Sequence, residues 1–527
     1  MYGPDNGDAV AVVHALVSSM IVLCACSSGD ATESAIGETG HEDSAPSVDT
    51  SGRDIDIDGD GHDDEAEGGD DCDDTNDGIH PGAADPCGGV DWDCDGDEPG
   101  CAPGVVSLAE AHGTLAPESA SATGLSAALA DVDGDGHADL IAAFDEIEDD
   151  VYDSKVAVVL MPVYGDIPEA SVSARLGGEG GRDYSSVSAS GADVTGDGVV
   201  DLVMGASVAN VVDVYSGDTL AAGTASSPDA TVYGSDDQLS GLGLDLALGD
   251  ANGDGEMSLY VSALGLAAIV AGPIADGTTV HSASLVEFTV DGDDPPLGRA
   301  VTAADVDGDG RDELIVCAQY DPTSSRSDIY VIDGSRRGAL ALGDEDVRLS
   351  AEVDARELGG AGYDLAAGDT DGDGYADLVV GAPFGGAEGH GVVMLLAGPF
   401  DAEMSLAAST ATLSAPSSGV LFGIALAMAD TDGDDLVDVL VGAYGSDEGA
   451  GAAALFHGPF AGAVELASDP AGRWFAGAAE GDRAGTSVAL GDADGDGMAD
   501  VAVTAPFRDA TGTDSGLVAL FYSTIGY

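Results

Sequence analysis

The sequence predicts an all-β fold, a seven-bladed β-propeller with calcium-binding loops, preceded by a small acidic module stabilised by disulfides or metal. Three observations predict it. An Asp- and Gly-rich loop recurs seven times at nearly constant spacing, an apolar strand stands on either side of each copy, and a strand-like piece precedes the first copy where the last one lacks a strand.

The loop reads D-x-[DNT]-x-D-[GD]-x-x-[DES] and begins at Asp131, Asp193, Asp250, Asp305, Asp369, Asp430 and Asp492, at intervals of 62, 57, 55, 64, 61 and 62 residues. Isolated copies arise by chance in such a composition; a regular interval with the same flanks does not. A short apolar run such as residues 487–490 leads into each loop and another such as residues 378–383 leaves it, so the loop joins two strands of a hairpin. Third strands are predicted over residues 156–160, 211–215, 267–270, 329–332, 392–396, 452–456 and 517–521. Fourth strands are predicted over residues 171–176, 231–233, 285–290, 347–353, 410–413 and 474–476. Four short antiparallel strands per unit is the make-up of a propeller blade. The seventh unit stops after its third strand, while Thr114 and Leu115 lie about as far before the first loop as Thr412 and Leu413 lie before the sixth. That N-terminal strand is expected to complete the last blade, closing the ring and hiding its edges.

Oxygen donors at alternating positions of a tight loop wrap a hard cation such as calcium. In loop one, Asp131, Asp133, Asp135 and Asp139 offer side chains at positions 1, 3, 5 and 9, and His137 offers its carbonyl at position 7. Loops five and seven keep every acid and are expected to bind most tightly: Asp369, Asp371, Asp373 and Asp377 with Tyr375, and Asp492, Asp494, Asp496 and Asp500 with Met498. Loop two has Asp193, Thr195, Asp197, Val199 and Asp201; loop four has Asp305, Asp307, Asp309, Arg311 and Glu313. Loop six has Asp430, Asp432, Asp434, Leu436 and Asp438, with Asp435 in place of the position-6 glycine. Loop three, with Asp250, Asn252, Asp254, Glu256 and Ser258, lacks two charges and is expected to fill last. Carboxylates gathered this closely repel one another, so the folded propeller is expected to need the metal.

These units resemble the FG-GAP repeats of the integrin α-subunit propeller over about residues 105–527, with Phe422-Gly423 and Gly381-Ala382-Pro383 the plainest copies of the name-giving residues. The resemblance implies the propeller fold and calcium, and speaks less to function.

Three segments precede the propeller of residues 103–527. Residues 1–26 read as a signal peptide: a mostly apolar stretch of residues 9–26 ends Leu23-Cys24-Ala25-Cys26, which resembles a bacterial lipobox and implies that Cys26 carries a lipid. A cleaved secretory signal and a lone membrane anchor are the other readings, and the absence of Lys and Arg from the first 20 residues departs from the usual signal pattern. Residues 27–53, rich in Ser, Gly, Thr, Ala, Glu and Asp, read as a flexible linker. Residues 54–102 have too few aliphatic side chains for a core, and Asp56, Asp58, Asp60, His62 (through its carbonyl), Asp64 and Glu67 space out a calcium loop that turns at Gly61. The remainder, with Asp71, Cys72, Asp73, Cys87, Trp92, Cys94 and Cys101, resembles the metal-binding motif of MopE-like bacterial surface proteins, which implies an extracellular location and metal affinity. In an exported segment Cys72, Cys87, Cys94 and Cys101 read as two disulfides, with thiolate metal ligation as the alternative; Cys317, alone in an apolar segment, reads as a buried small hydrophobe.

With 99 Asp and Glu against 14 Lys and Arg, the formal charge of -85 excludes nucleic acid and anionic membrane as partners, and membrane contact is expected only through the lipid anchor. No G-x-S-x-G, H-E-x-x-H, P-loop or dinucleotide fingerprint is present, and a lone histidine such as His457 reads as structural or solvated. The chain is expected to be no enzyme but a calcium-binding cell-surface protein, anchored at the outer membrane or secreted, that binds an extracellular protein or glycan through the propeller. A secreted hydrolase or lyase built on the propeller, and a structural calcium-binding coat protein, are the alternatives.

Overall fold

A computed structural model describes residues 104–523 apart from 117–119, 122, 149–150, 168–170, 178–183, 185–191, 235–240, 290–296, 319–326, 351–358, 387–388, 401–402, 415–420, 466–471 and 511–514. The lipobox-like end with Cys26, the linker, the acidic loop of residues 56–67 and the four clustered cysteines lie outside the described residues.

Seven sheets form, one per repeat. Blade five shows the plan: Leu365–Gly368, Asp377–Ala382, Val392–Leu396 and Ala411–Ser414 pair antiparallel in chain order, with Leu378 opposite Ala367 on one side and Leu396 on the other. The second strand of a blade is covered on both faces, so it has no polar side. Asp201–Ala206, Ser258–Ala263, Asp377–Ala382, Asp438–Gly442 and Asp500–Ala505 are accordingly buried at every position, which is why they read as unbroken apolar runs rather than as alternating patterns. Cys317 is buried inside Glu313–Ala318, as its apolar neighbours suggested.

All seven predicted third strands are present; the first, Val151–Val159, is longer than expected because it forms a hairpin arm with Asp139–Glu148. The fourth strands Ala174–Gly177, Ala230–Tyr233, Ser284–Thr289, Val347–Ser350, Ala411–Ser414 and Arg473–Ala476 overlap the predicted segments. Ring closure is also as expected. Gly113–Leu115 pairs antiparallel with Leu517–Phe521, Leu115 facing Val518, and so supplies the fourth strand of blade seven.

A fifth strand was not foreseen. In blades two to five and blade seven it comes from the segment after the third strand of the next blade and pairs parallel: Thr278–Thr279, Gly338–Ala341, Glu403–Ser405, Gly462–Glu465 and Gly165–Ile167. Gly104–Ser107 takes this place in blade six, so residues 104–115 serve two neighbouring blades. Between them the turn Leu108–Glu110 is capped by Ser107 and Glu110, and it inserts Leu108 into the core shared by blades six and seven. Side chains near the start of the first strand also bridge blades: Asp245 accepts the Val301 N–H at 2.8 Å, Asp364 the Leu426 N–H at 2.8 Å, and Ser487 the Ala127 N–H at 3.3 Å.

Leu115 is fully buried in the closing strand. Leu115→Ala is expected to cost about 2–5 kcal/mol, read as a lowered thermal midpoint; an unchanged midpoint would show that this strand does not hold the ring shut.

Candidate metal centres

Each repeated loop is organised by its first aspartate. In loop one, Asp131 Oδ1 accepts the N–H of Gly134 at 2.6 Å and Oδ2 that of Gly136 at 3.0 Å. Loop five repeats this between Asp369 and the N–H groups of Gly372 at 2.7 Å and Gly374 at 2.9 Å. Both glycines of the pair have positive φ, 76° and 92° in loop one, a region that a Cβ disfavours. In loop six Asp435 adopts the same conformation at φ 64° and still donates its N–H to Asp430, so the loop geometry survives the loss of glycine. The acid at position 5 braces the return of the loop: Asp135 accepts the His137 N–H at 2.9 Å, and Asp496 that of Met498 at 2.8 Å.

The acid at position 9 begins the second strand and is buried. Asp139 accepts the Val132 N–H at 3.1 Å through one oxygen and the Met161 N–H at 2.9 Å through the other, tying the loop to the end of the third strand. Asp500 does the same with Ala493 and Ser523, both at 2.8 Å. Loop three, with Ser258 at this position, lacks that tie; there the Asp250 N–H is taken at 2.6 Å by Asp312 of the next blade.

The loops are also joined to one another. The N–H at position 8 donates to the position-1 carbonyl of the preceding blade: Ala138 to Asp492, Asp312 to Asp250, Ala376 to Asp305, Val437 to Asp369 and Ala499 to Asp430, at 2.6 to 3.2 Å. Position 7, read from sequence only as a carbonyl donor, uses its side chain to cover the position-4 glycine of the same neighbour. A Cβ on Gly308 would lie 2.6 Å from the Tyr375 ring, and one on Gly495 would lie 2.3 Å from His137. Leu436 covers Gly372 and Met498 covers Gly433 in the same way.

In loops one, four and five the acids at positions 1, 3 and 9 converge: Asp131, Asp133 and Asp139; Asp305, Asp307 and Glu313; and Asp369, Asp371 and Asp377 each present oxygens within 4.8 Å of one another. The donor atoms are all oxygens, which suits a hard divalent cation. Among the described residues, two buried carboxylate oxygens at position 9, Asp201 Oδ1 and Glu313 Oε1, make no hydrogen bond of normal geometry, a costly state that a bound cation would relieve. Burial, reinforced by Asp133 and Asp135, pushes Asp139 up to about 7. Burial with Asp494 and Asp496 does the same to Asp500, and burial with Asp307 and Asp305 lifts Glu313 to about 9. Such shifts are what buried acids undergo when no cation compensates them.

Two participants were missed in the sequence. The residue opposite position 9 across the hairpin is Asp333 in blade four and His457 in blade six, following from the pairs Leu314 with Ile332 and Val439 with Phe456. Asp333 gathers with Asp307 and Asp309. His457, read as structural or solvated, is not solvated: its side chain is only 15% exposed, and Nδ1 lies 3.3 Å from Asp432 and 3.1 Å from Asp438. Only the strand register connects these residues to the loops, and no local pattern signals it.

In chelator the unfolded chain ionises Asp139, Asp500 and Glu313 near about 4, whereas the folded chain holds them protonated up to about 7, 7 and 9. The folded state then binds more protons, so metal-free stability is expected to fall as pH rises through those values; a thermal midpoint in chelator that rises over the same range would contradict the placement of these acids. Gly308→Ala, strained at φ 77° and pressed against Tyr375, is expected to cost about 1–3 kcal/mol, checked by thermal unfolding.

Comparison with known proteins supports the repeated fold. Residues 297–332, 361–394 and 484–521 match the FG-GAP repeat family, in blades four, five and seven. Integrin alpha-IIb of Homo sapiens is 35% identical over 160 residues, 29% of this chain and 15% of its own. Integrin alpha-PS2 of Drosophila melanogaster is 34% identical over 164 residues, 29% of this chain and 12% of its own. Phosphatidylinositol-glycan-specific phospholipase D of Rattus norvegicus is 33% identical over 175 residues, 31% of this chain and 20% of its own. Among solved structures, the V. cholerae biofilm matrix protein Bap1 aligns over 54% of this chain and 38% of its own at TM-score 0.30 and 17% identity, too little to bear on fold or function. The chain matches a fifth or less of the length of these curated relatives. It carries FG-GAP repeats in three blades of a seven-bladed propeller and is similar over 29% of its length to integrin α-subunits.

Proposed function

We propose that this protein binds calcium in the propeller loops and, outside the cell, uses the propeller to bind a protein or glycan ligand, without catalysing a reaction. The convergence of positions 1, 3 and 9 on one point in three loops carries the calcium assignment. Calcium there joins the loop, the start of the second strand and, through the position-9 acid, the end of the third strand. It would also neutralise acids that burial otherwise forces to hold protons.

The loops occupy one side of every hairpin, between first and second strands. The turns between second and third strands therefore open at the opposite end of each blade, and there Val208, Leu264 and Phe384 stand 70%, 47% and 46% exposed. Large apolar side chains repeated at one place in three blades suit a ligand-contacting rim. The FG-GAP match and the likeness to integrin α-subunits support an extracellular ligand. The lipobox-like Cys26 and the MopE-like segment support attachment to, or release from, a bacterial surface.

Calcium counted by equilibrium dialysis on the full chain is expected to fall by one equivalent in Asp377→Asn, with loop three filling last. The full chain in calcium is expected to bind a component in an array of matrix proteins and glycans. Val208→Ser, Leu264→Ser and Phe384→Ser together should abolish that binding while leaving the calcium count intact. Binding to no array component in calcium would contradict the ligand assignment, and no bound calcium would contradict the metal assignment.

A further inference from the structure

We infer that the loop of blade six is a site for a borderline transition-metal ion of the zinc class, held by Asp432, Asp438 and His457, whereas the loops of blades one, four and five gather carboxylate oxygens. The inference rests on reading the loops as cation sites and adds a different metal class at one of them.

Three donor atoms, two carboxylate oxygens and His457 Nδ1, lie within 4.8 Å of one another. An imidazole nitrogen suits zinc, cobalt, nickel and copper, whereas calcium takes oxygen. The ring is placed by the fold rather than by a mobile side chain. His457 follows directly on Ala452–Phe456, and the next N–H, that of Gly458, is bonded to Asp438 at 3.0 Å. Asp438 is fully buried: Oδ1 takes that N–H, and Oδ2, which faces the imidazole, accepts the Thr431 N–H at 2.9 Å and the Thr431 hydroxyl, so the carboxylate is held from both sides.

Comparison within the molecule isolates the substitution. The register places Ala271 and Ala397 at the matching points of blades three and five, opposite Ser258 and Asp377. Blade five has the same Thr next to its position-1 aspartate and the same bonds to its position-9 acid, from Thr370 and Gly398, but it lacks the nitrogen donor. Loop six also departs at position 6, where Asp435 replaces glycine. It keeps the cation-loop backbone and changes the chemistry of the donors. Asp432 and Asp438 with His457 would give three protein ligands, leaving a further position for water.

The same arrangement accommodates a proton on Nδ1 shared between the two carboxylates, and metal binding has to displace it. The test therefore compares the full chain with His457→Ala, a change that recreates the residue blade five already carries. Both proteins, saturated with calcium, are titrated with Co2+ by calorimetry and by visible absorption. The wild type is expected to bind one more equivalent of Co2+ than His457→Ala, with d–d bands of a nitrogen-containing site, and the affinity at that equivalent should drop at least about tenfold in the variant. Zinc should displace the cobalt. Equal Co2+ binding by the two proteins, with equal thermal midpoints in calcium to show both are folded, would overturn the inference and leave His457 as a counter-charge. Loss of calcium binding at the other loops with the His457-dependent cobalt site intact would instead remove the calcium reading alone.

Discussion

The carboxylate of the first aspartate in each loop, closed around the loop's own N–H groups, is the interaction on which the rest of the ring depends. Asp131 fixes Gly134 and Gly136, Asp369 fixes Gly372 and Gly374, and the first aspartates Asp250, Asp305, Asp369, Asp430 and Asp492 also offer their carbonyls to the loop of the following blade. Local turn geometry and blade-to-blade contact are therefore one network. A loop that loses its shape moves the carbonyl its neighbour needs, and the side chain at position 7 loses the glycine surface it covers.

This economy concentrates charge. Positions 1, 3 and 9 face the same point in loops one, four and five, and the position-9 acid is buried because it starts a strand covered on both faces. Burying several carboxylates together without compensation is unfavourable. A divalent cation at their focus converts repulsion into a cross-link among three segments of the blade. Since neighbouring loops share hydrogen bonds, a cation bound in one loop would also support the order of the next. At the opposite end of the blades the turns between second and third strands leave Val208, Leu264 and Phe384 exposed.

The repeat was legible because a period of about sixty residues survives any uncertainty in single strands, and because fully covered second strands such as Asp377–Ala382 stand out as apolar runs. The closing role of Thr114 and Leu115 followed from counting strands, and the structure pairs them with Ala519 and Val518. The fifth strands were not legible. Thr278–Thr279 and Glu403–Ser405 are two and three residues long, lie at a sheet edge and carry no alternation. Position 7 showed only variety in sequence, His, Arg, Tyr, Leu and Met, and its packing on a neighbouring glycine requires knowing which loops are adjacent. His457 and Asp333 join their loops solely through cross-strand register, a relation that spans about twenty residues of chain and leaves no motif.

The claim that the repeated acids are structural cation sites is tested most directly by thermal unfolding of the full chain in calcium, in chelator, and after calcium is restored. The account predicts a midpoint higher in calcium by more than about 10 °C, lost in chelator and recovered on add-back, since several coupled sites each contribute on the order of 2–3 kcal/mol at saturating metal. An equal midpoint in calcium and chelator would contradict it, and the acids would then serve solubility rather than the fold.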